Sequence, residues 1–264
     1  MRRPYAERTQ PLCRGPTGWL EELGLAWQTL VSCLGLYLRI LGGRDRLDLP
    51  ALAAALRQTG LSVLPAITLV ALALGLILGS QAESVFQDLD LPRLPVLSIG
   101  VNVVLELVPI LVGILVAGRA GVALAVRQAG LTVSGEMDGL IVSGIDPIRF
   151  TLGPVLLAML LMAFALTVWV GLTTCAALAT WLWARVGVPP ALFVDALQQS
   201  VDLADLFEAL AKPLIFAVAI ALIASVSGLA AGRDPDGLGR AATRTVIGAV
   251  TAILLTDLVF VLLR

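Results

Sequence analysis

The feature that most constrains this chain is a stretch without a single charge, Phe150–Ala184. It exceeds the about 20 apolar residues that cross a bilayer as one helix. Only 14% of the 264 residues are charged and 58% are hydrophobic, whereas about a quarter of the residues of a soluble domain are charged. The sequence therefore predicts an all-α membrane protein with one membrane domain. Its other predicted spans are 58–82, 94–118, 213–232 and 245–263.

The long uncharged stretch allows two arrangements. Either one span at about 148–175 runs on into a buried extracytoplasmic segment rich in Trp, or two tight spans share the stretch. With five spans, 14 of the 18 Lys and Arg residues lie on the side of the N-terminus and four on the other. Since cytoplasmic segments are enriched in Lys and Arg, the N-terminus is predicted to be cytoplasmic. Six spans give the same balance, so charge alone leaves the number of spans open.

The N-terminal part divides into two segments. Residues 1–16 are basic and irregular, which predicts a disordered cytoplasmic lead. In 17–41, Trp and Leu recur every three or four residues and polar side chains lie on the other face. This pattern favours an amphipathic helix in the membrane interface. A poorly hydrophobic first span is the alternative.

Between the second and third spans lies a polar insert, Gly118–Arg149, which must face water at one side of the membrane. Within it, Asp146-Pro147 is a good helix start, with Asp as the N-cap and Pro at the first helical position. Four glycines are expected to break the insert into short pieces: Gly130, Gly135, Gly139 and Gly144. One short amphipathic helix is predicted from Glu136, Met137, Asp138 and Leu140. Such a helix suits docking to an ATPase, although a solvated loop would look similar.

Three charged residues stand in or beside apolar spans. Glu106 lies in the middle of the second span, on a small or polar helical stripe with Asn102 and Pro109. A carboxylate there is costly and must face protein or a watered cavity, as a lipid headgroup contact, a proton carrier or a structural hydrogen bond. Asp257 is expected to pair or to reach the interface. Lys212 is expected to mark a helix start at the membrane boundary, or to meet a phosphate headgroup.

The sequence lacks the residues that several kinds of chemistry require. The sequence has no His, and Cys13, Cys33 and Cys175 form no CxxC pair, so neither a metal site nor a disulfide framework is indicated. There is no GxxxxGK[ST] motif for nucleotide hydrolysis and no GxSxG elbow. No basic-aromatic stretch suggests nucleic acid. We therefore expect a chain that is not an enzyme and binds no cofactor.

The sequence resembles the MlaE/YrbE-type permeases, a family that includes the chloroplast trigalactosyldiacylglycerol permease. The resemblance covers nearly the whole chain from about Trp19, and the ungapped register from GRAG to DPxR is its most specific part. The matching residues are Gly75, Gly79 and Gln81 (GxxxGxQ), Glu106 and Pro109 (RELGP), Gly118, Arg119, Ala120 and Gly121 (GRAG), Asp138, Leu140, Gly144, Asp146, Pro147 and Arg149 (DAL…GxDPxR), Lys212, Gly239, Arg240, Ala241, Thr243 and Thr245 (GRATT-type turn), and Asp257.

The resemblance implies an interfacial helix followed by five spans, used as a homodimer in the bacterial inner membrane. It implies a coupling helix in 130–146 that seats on a cytoplasmic P-loop ATPase, which uses ATP and Mg. It also implies a periplasmic MCE-domain partner, a hexamer, and transport of phospholipid that maintains outer-membrane lipid asymmetry. The alternative from the residues alone is a proton-coupled secondary transporter using Glu106 and Asp257.

The residue pattern and the resemblance together give the expected roles of single residues. Lipid would contact Asn102, Glu106, Pro109 and Lys212. The ATPase would be coupled through Glu136, Met137, Asp138, Leu140, Gly144, Asp146, Pro147 and Arg149. Close helix packing would use Gly75, Gly79, Gly118 and Gly121. The chain departs from the family at Leu105, Arg127 and Gly135, where the family has Arg, Glu and Glu.

Overall fold

The computed structural model describes residues 49–89, 93–144, 147–231 and 236–263, together with isolated helical positions at 24, 27, 29, 31 and 35. The predicted lead 1–16 and the course of the predicted interfacial helix 17–41 lie outside these ranges. Asp146 and the side chains of Pro147 and Arg149 lie outside the description as well.

Within these ranges the fold is helical throughout, without strands. Two π-helical turns interrupt it, Arg57–Leu61 before the second helix and Ala117–Gly121 after the third. The helices are α1 (Leu49–Leu56), α2 (Leu64–Leu89), α3 (Arg93–Val116), α4 (Val122–Val133), α5 (Glu136–Val142), α6 (Pro147–Val186), α7 (Pro190–Ser200), α8 (Leu203–Leu229) and α9 (Gly237–Leu263).

Five stretches among the described residues are long and apolar enough to cross a membrane. They are α2, α3 running through its π turn into α4, α6, α8 and α9. The expectation of an all-α fold with five spans is therefore confirmed, and the chain is a multi-pass membrane protein. The uncharged stretch forms a single helix, α6, of 40 residues, so the six-span arrangement is wrong.

Several helix ends differ from the sequence-based expectation. The predicted span 58–82 is too short at its end, because α2 continues as far as Leu89. Gly130 does not interrupt α4, which ends at Val133, and Gly139 lies inside α5. Helical hydrogen bonding thus continues through polar residues and through single glycines, each of which costs a helix only about 1 kcal/mol relative to Ala.

Lys212 is the largest correction. It lies inside α8, which begins at Leu203, and not at a helix start as predicted. Asp202, in extended conformation, precedes the first turn of α8. Among the residues that follow, Glu208 pairs with Lys212 one turn later, which offsets part of the cost of holding charges there.

The long helix α6 packs along α2 with little space between the two backbones. A Cβ added to Gly75 would lie 2.5 Å from the Thr174 carbonyl oxygen, and one added to Gly79 would lie 2.8 Å from the Trp181 Cβ. Thr174 donates a hydrogen bond from Oγ1 to the Ala71 carbonyl at 3.3 Å. Small residues that permit such an approach, with hydrogen bonds across it, are the usual means of joining helices in lipid.

At the centre of the bundle lies α8, which packs against α3, α4, α6 and α9. Its inward face is fully buried at Phe216, Ile220 and Ala224. By contrast, α9 turns a broad apolar face outward, including Leu254, Leu255, Leu258 and Val259. The residues on the inward face of α8 are therefore positioned by contacts with four other helices.

Candidate functional site

The site is centred on a buried amine, Lys212 of α8, which is only 2% exposed. Its Nζ lies 2.9 Å from Oε1 of Glu208, one turn earlier on the same helix. The same Nζ lies 3.1 Å from Oδ1 of Asp257, which comes from α9. It also lies 5.4 Å from the ring centroid of Phe260, in cation–π range. One ammonium thus joins α8 to α9 through two carboxylates.

Beside Lys212 lies a small cavity between α3 and α8. Its volume is about 10 Å³, roughly the room needed for one water molecule. The residues that line it are Asn102, Leu105 and Glu106 from α3, and Asp205, Glu208, Ala209 and Lys212 from α8. The structure therefore brings Asn102, Glu106 and Lys212 to one place.

Pro109, which the resemblance groups with Glu106, lies apart from this lining. It is buried in α3, and the side chains that reach the cavity are those of Asn102, Leu105 and Glu106. The spacing of three and four residues places these three on one helical face. Pro109 lies close to the same face, one turn further from the cavity.

Two acidic residues of the site were not singled out from the sequence, Asp205 and Glu208. Both precede Lys212 on α8, at helical spacings that put them on its face. The i, i+4 pair of Glu208 and Lys212 was a usable signal. It was missed because the helix was expected to begin at Lys212.

The polar insert contains the predicted short helix, α5, and no residue of that helix is buried. Glu136 and Asp138 are exposed, whereas Met137 and Leu140 are partly covered. Gly135 precedes α5 with φ 76° and Gly144 follows it with φ 78°. These left-handed positions favour glycine, so α5 is a short exposed segment with a sharp turn at each end.

The GRAG residues join the root of this insert to α8. Gly121 lies so close to α8 that an added Cβ would be 2.7 Å from Cγ2 of Ile220. Ala117 and Ala120 are buried at the same π turn. Gly118 is exposed, and a Cβ there would meet nothing within 4 Å among the described residues, so a packing role for Gly118 stays a prediction for contacts outside the chain.

A second contact between α4 and α8 is polar and fully buried. Gln128 donates from Nε2 to Thr151 Oγ1 at 3.2 Å and to Ser225 Oγ at 3.5 Å. A Cβ added to Gly228 would lie 2.7 Å from the Gln128 Cβ and 2.8 Å from the Ala125 carbonyl oxygen. The two backbones therefore nearly touch. Since α4 continues through Ser134 and Gly135 into α5, these close contacts connect the exposed short helix to α8.

With this geometry established, comparison with known proteins gives the family. The family model described as Permease MlaE matches residues 52–263. The Intermembrane phospholipid transport system permease protein MlaE of Haemophilus influenzae is 28% identical over 222 residues, 81% of this chain and 82% of that protein.

Two further relatives match over shorter stretches. A probable ABC transporter permease of Synechocystis is 30% identical over 155 residues, which are 58% of this chain and 58% of that protein. The chloroplastic protein TRIGALACTOSYLDIACYLGLYCEROL 1 of Arabidopsis thaliana is 29% identical over 157 residues, 58% of this chain and 44% of that protein. The match to the family model, in contrast, runs from α1 to the end of α9, and the chain therefore belongs to the MlaE permease family.

Proposed function

We propose that this chain is the permease subunit of an ABC transporter that moves phospholipid between the inner membrane and a periplasmic MCE-domain partner, and so maintains outer-membrane lipid asymmetry. The observation that carries the proposal is the charged site around Lys212, held inside a span by α8 and α9 and open to α3 through Asn102 and Glu106. The name of the Haemophilus relative supports phospholipid as the substrate.

In this proposal the headgroup binds next to Lys212 and the acyl chains lie along apolar helix faces. The cavity within one chain, at about 10 Å³, is far too small for a lipid. A homodimer provides the remaining wall, because the outward faces of the spans are apolar and large. The headgroup contacts then come from Asn102, Glu106 and Lys212, with Pro109 shaping α3 behind them.

The energy comes from a separate cytoplasmic P-loop ATPase that binds ATP and Mg. Its contact on this chain is α5, with Glu136, Met137, Asp138 and Leu140, and the following turn that includes Gly144. The N-terminus and α5 lie on the cytoplasmic side of the bacterial inner membrane. Closure of the ATPase pushes the two α5 helices of the dimer together, and the buried contacts of α4 transmit that movement to α8.

The test is charge reversal on α5, with Glu136→Lys and Asp138→Lys combined. We expect this variant to insert and remain dimeric, to lose copurification of the ATPase, and to lose ATP-driven lipid flux in proteoliposomes. Both side chains are exposed and α5 has no buried residue, so the substitutions leave the buried core of the bundle unchanged. Flux at the wild-type level would rule out the coupling role of α5.

A matched control reverses two exposed carboxylates elsewhere, with Asp195→Lys and Asp202→Lys combined. These residues lie on α7 and just before α8, at the opposite end of the bundle from α5. The control variant is expected to keep the ATPase bound. Flux driven by a proton gradient without any ATPase would instead support the secondary transporter that uses Glu106 and Asp257.

A further inference from the structure

An open basin lies beside the two π-helical turns, away from the Lys212 site. Its volume is about 510 Å³, within the range of small-ligand sites. The residues that line it are Ala53, Ala54, Arg57, Ser62 and Arg119. The cavity beside Lys212 is lined from the middle of α3 and the first turns of α8, whereas Arg119 follows the end of α3. The basin is therefore a separate site, to which the proposed transport cycle assigns no role.

Each π turn supplies one arginine to the basin, and packing fixes the position of each turn. Arg57 begins the first π turn and Arg119 lies in the second, and the two turns are in contact. A Cβ added to Gly60 would collide with Sδ of Met162, so the first turn lies directly against α6. Gly121 holds the second turn as closely against α8. π-Helical turns are frequent at functional sites, and here they bring two cations to one opening.

The basin is positively charged, and its charge is not compensated within the described part of the chain. Among those residues no carboxylate lines it, and the side chains of Arg57 and Arg119 have neither a hydrogen bond nor an ion pair. Both side chains are exposed, so their donors are accessible to a ligand. Two neighbouring guanidinium groups repel each other, and an anion between them offsets that repulsion. Because a guanidinium presents planar pairs of donors that match phosphate oxygens, the basin suits a phosphate anion.

The level of the basin along the spans favours a lipid phosphate over a phosphate from solution. Arg57 precedes the apolar stretch Leu64–Gln87. The stretch Leu97–Val133 is longer than the about 20 residues that cross a bilayer, and Arg119 lies just beyond that length from its start. Both arginines therefore lie where a span leaves the apolar core, at the level of the lipid headgroups. Basic side chains at that level attract anionic lipids.

We propose that this basin binds the phosphate of a net anionic phospholipid, such as phosphatidylglycerol, from the leaflet on the side of α5. Arg57 and Arg119 donate to the phosphate oxygens, and the glycerol part of the lipid lies against the exposed methyl groups of Ala53 and Ala54. A zwitterionic headgroup binds less tightly, because its own ammonium already offsets the charge of its phosphate. A lipid held in this way joins α1 to the root of the polar insert.

The sharpest variant fills the basin from within the chain. Ala53 lies one turn before Arg57, so Ala53→Glu places a carboxylate near that guanidinium at the favourable i, i+4 spacing. Ala53 is exposed, and the change removes no basic side chain. Ala53→Gln has the same length without the charge and separates the effect of charge from that of size. Arg57→Gln and Arg119→Gln each remove one cation, whereas Arg127→Gln removes an exposed cation of α4 that does not line the basin.

The experiment adds phosphatidylglycerol to the purified full chain in detergent and measures each binding step by native mass spectrometry, with phosphatidylcholine as the zwitterionic comparison. The wild-type chain is expected to prefer phosphatidylglycerol. Arg57→Gln and Arg119→Gln are each expected to weaken one binding step per chain by about tenfold, since each removes a charge-assisted contact. Ala53→Glu is expected to weaken the same step by about tenfold relative to Ala53→Gln. Arg127→Gln is expected to keep the wild-type affinity.

Inorganic phosphate, added as a competitor, distinguishes the two sources of the anion. A bound lipid is expected to stay, because apolar contacts hold the rest of the molecule. Displacement of the lipid by inorganic phosphate would support an anion site and overturn the lipid as its ligand.

Two results would overturn the site itself. One is a binding step that none of the basin variants weakens, and the other is an equal loss with Arg127→Gln, because the arginines would then act only through general surface charge. If an arginine variant does not fold, Ala53→Glu decides, since it keeps both arginines. Neither result bears on the proposed transport function, because the site beside Lys212 is unchanged in every variant.

Discussion

At the scale of single residues, the notable contact is the one that holds Lys212. A charged amine inside a span is costly, and here two carboxylates from two helices surround it. Such a cluster contributes little net stability compared with apolar residues of similar size, but removing one partner leaves an uncompensated charge. The cluster therefore fixes how α8 and α9 lie together, and it makes the site sensitive to single substitutions.

Single and double variants of this cluster are therefore expected to differ in stability. Asp257→Asn is expected to destabilise the protein by about 3 kcal/mol, because Lys212 stays buried with one carboxylate fewer. Lys212→Met combined with Asp257→Leu is expected to recover most of that loss. Glu208, which then has no ammonium, is only partly covered, with 24% of its side chain exposed. The free energy of unfolding in mixed detergent is measured for the single and the double variant. A double variant as unstable as the single one would contradict the explanation.

At the scale of the elements, α5 depends on the turns that enclose it. Gly135→Ala is expected to cost about 1–2 kcal/mol in the local stability of α5, because φ there is 76° and an L side chain resists that conformation. Gly139→Ala is the matched control inside α5, where an added Cβ meets nothing within 4 Å, and it is expected to stabilise the helix by up to about 1 kcal/mol. Hydrogen exchange of the α5 amides is the measurement. Exchange is expected to be faster than in the wild type for Gly135→Ala and slower for Gly139→Ala.

The contact between α2 and α6 gives a second prediction at this scale. Gly75→Ala is expected to destabilise the bundle by about 1–3 kcal/mol, because the new methyl group would lie 2.5 Å from a backbone oxygen that cannot rotate away. Gly171→Ala on α6, with open space around it, serves as the control. Denaturant titration of the two variants is the measurement, and equal stability would mean that the helices separate without cost.

How far the sequence predicts this molecule depends on the kind of feature. The spans and α5 follow from apolar length and from glycine positions, which are local properties of the chain. The burial of Lys212 does not follow from local sequence, since a lysine before an apolar run is typical of a membrane boundary. It is buried because Asp257, far away in sequence, lies beside it. Asp205 and Glu208 were not predicted for a different reason. They lie on the inward face of α8, and the sequence placed the start of that helix too late.

At the scale of the whole molecule, α8 connects the exposed insert to the charged site. Its end near Gly228 is in contact with α4, and its other half carries Glu208 and Lys212. Gln128 is the polar part of the first contact, and its Oε1 has no partner among the described residues. A buried amide with one end unpartnered stabilises the fold little. We therefore expect its contribution to lie in keeping α4 and α8 in register during movement.

A double variant can show whether Gln128 affects the coupling of α4 to α8 or only the stability of the fold. Gln128→Leu combined with Ser225→Ala replaces Gln128 and one of its two hydrogen-bond acceptors by apolar groups. The other acceptor, Thr151, keeps a further interaction, so the change is expected to be close to neutral for folding. In the assembled transporter this variant is expected to keep its melting temperature and its ATPase activity, while lipid moved per ATP hydrolysed falls several-fold. Thr167→Val is the control, because that buried hydroxyl donates only within its own helix, to the Ala163 carbonyl. If lipid moved per ATP stays at the wild-type value in the double variant, Gly121 and Gly228 alone hold α4 against α8, and the polar contact has no part in the coupling.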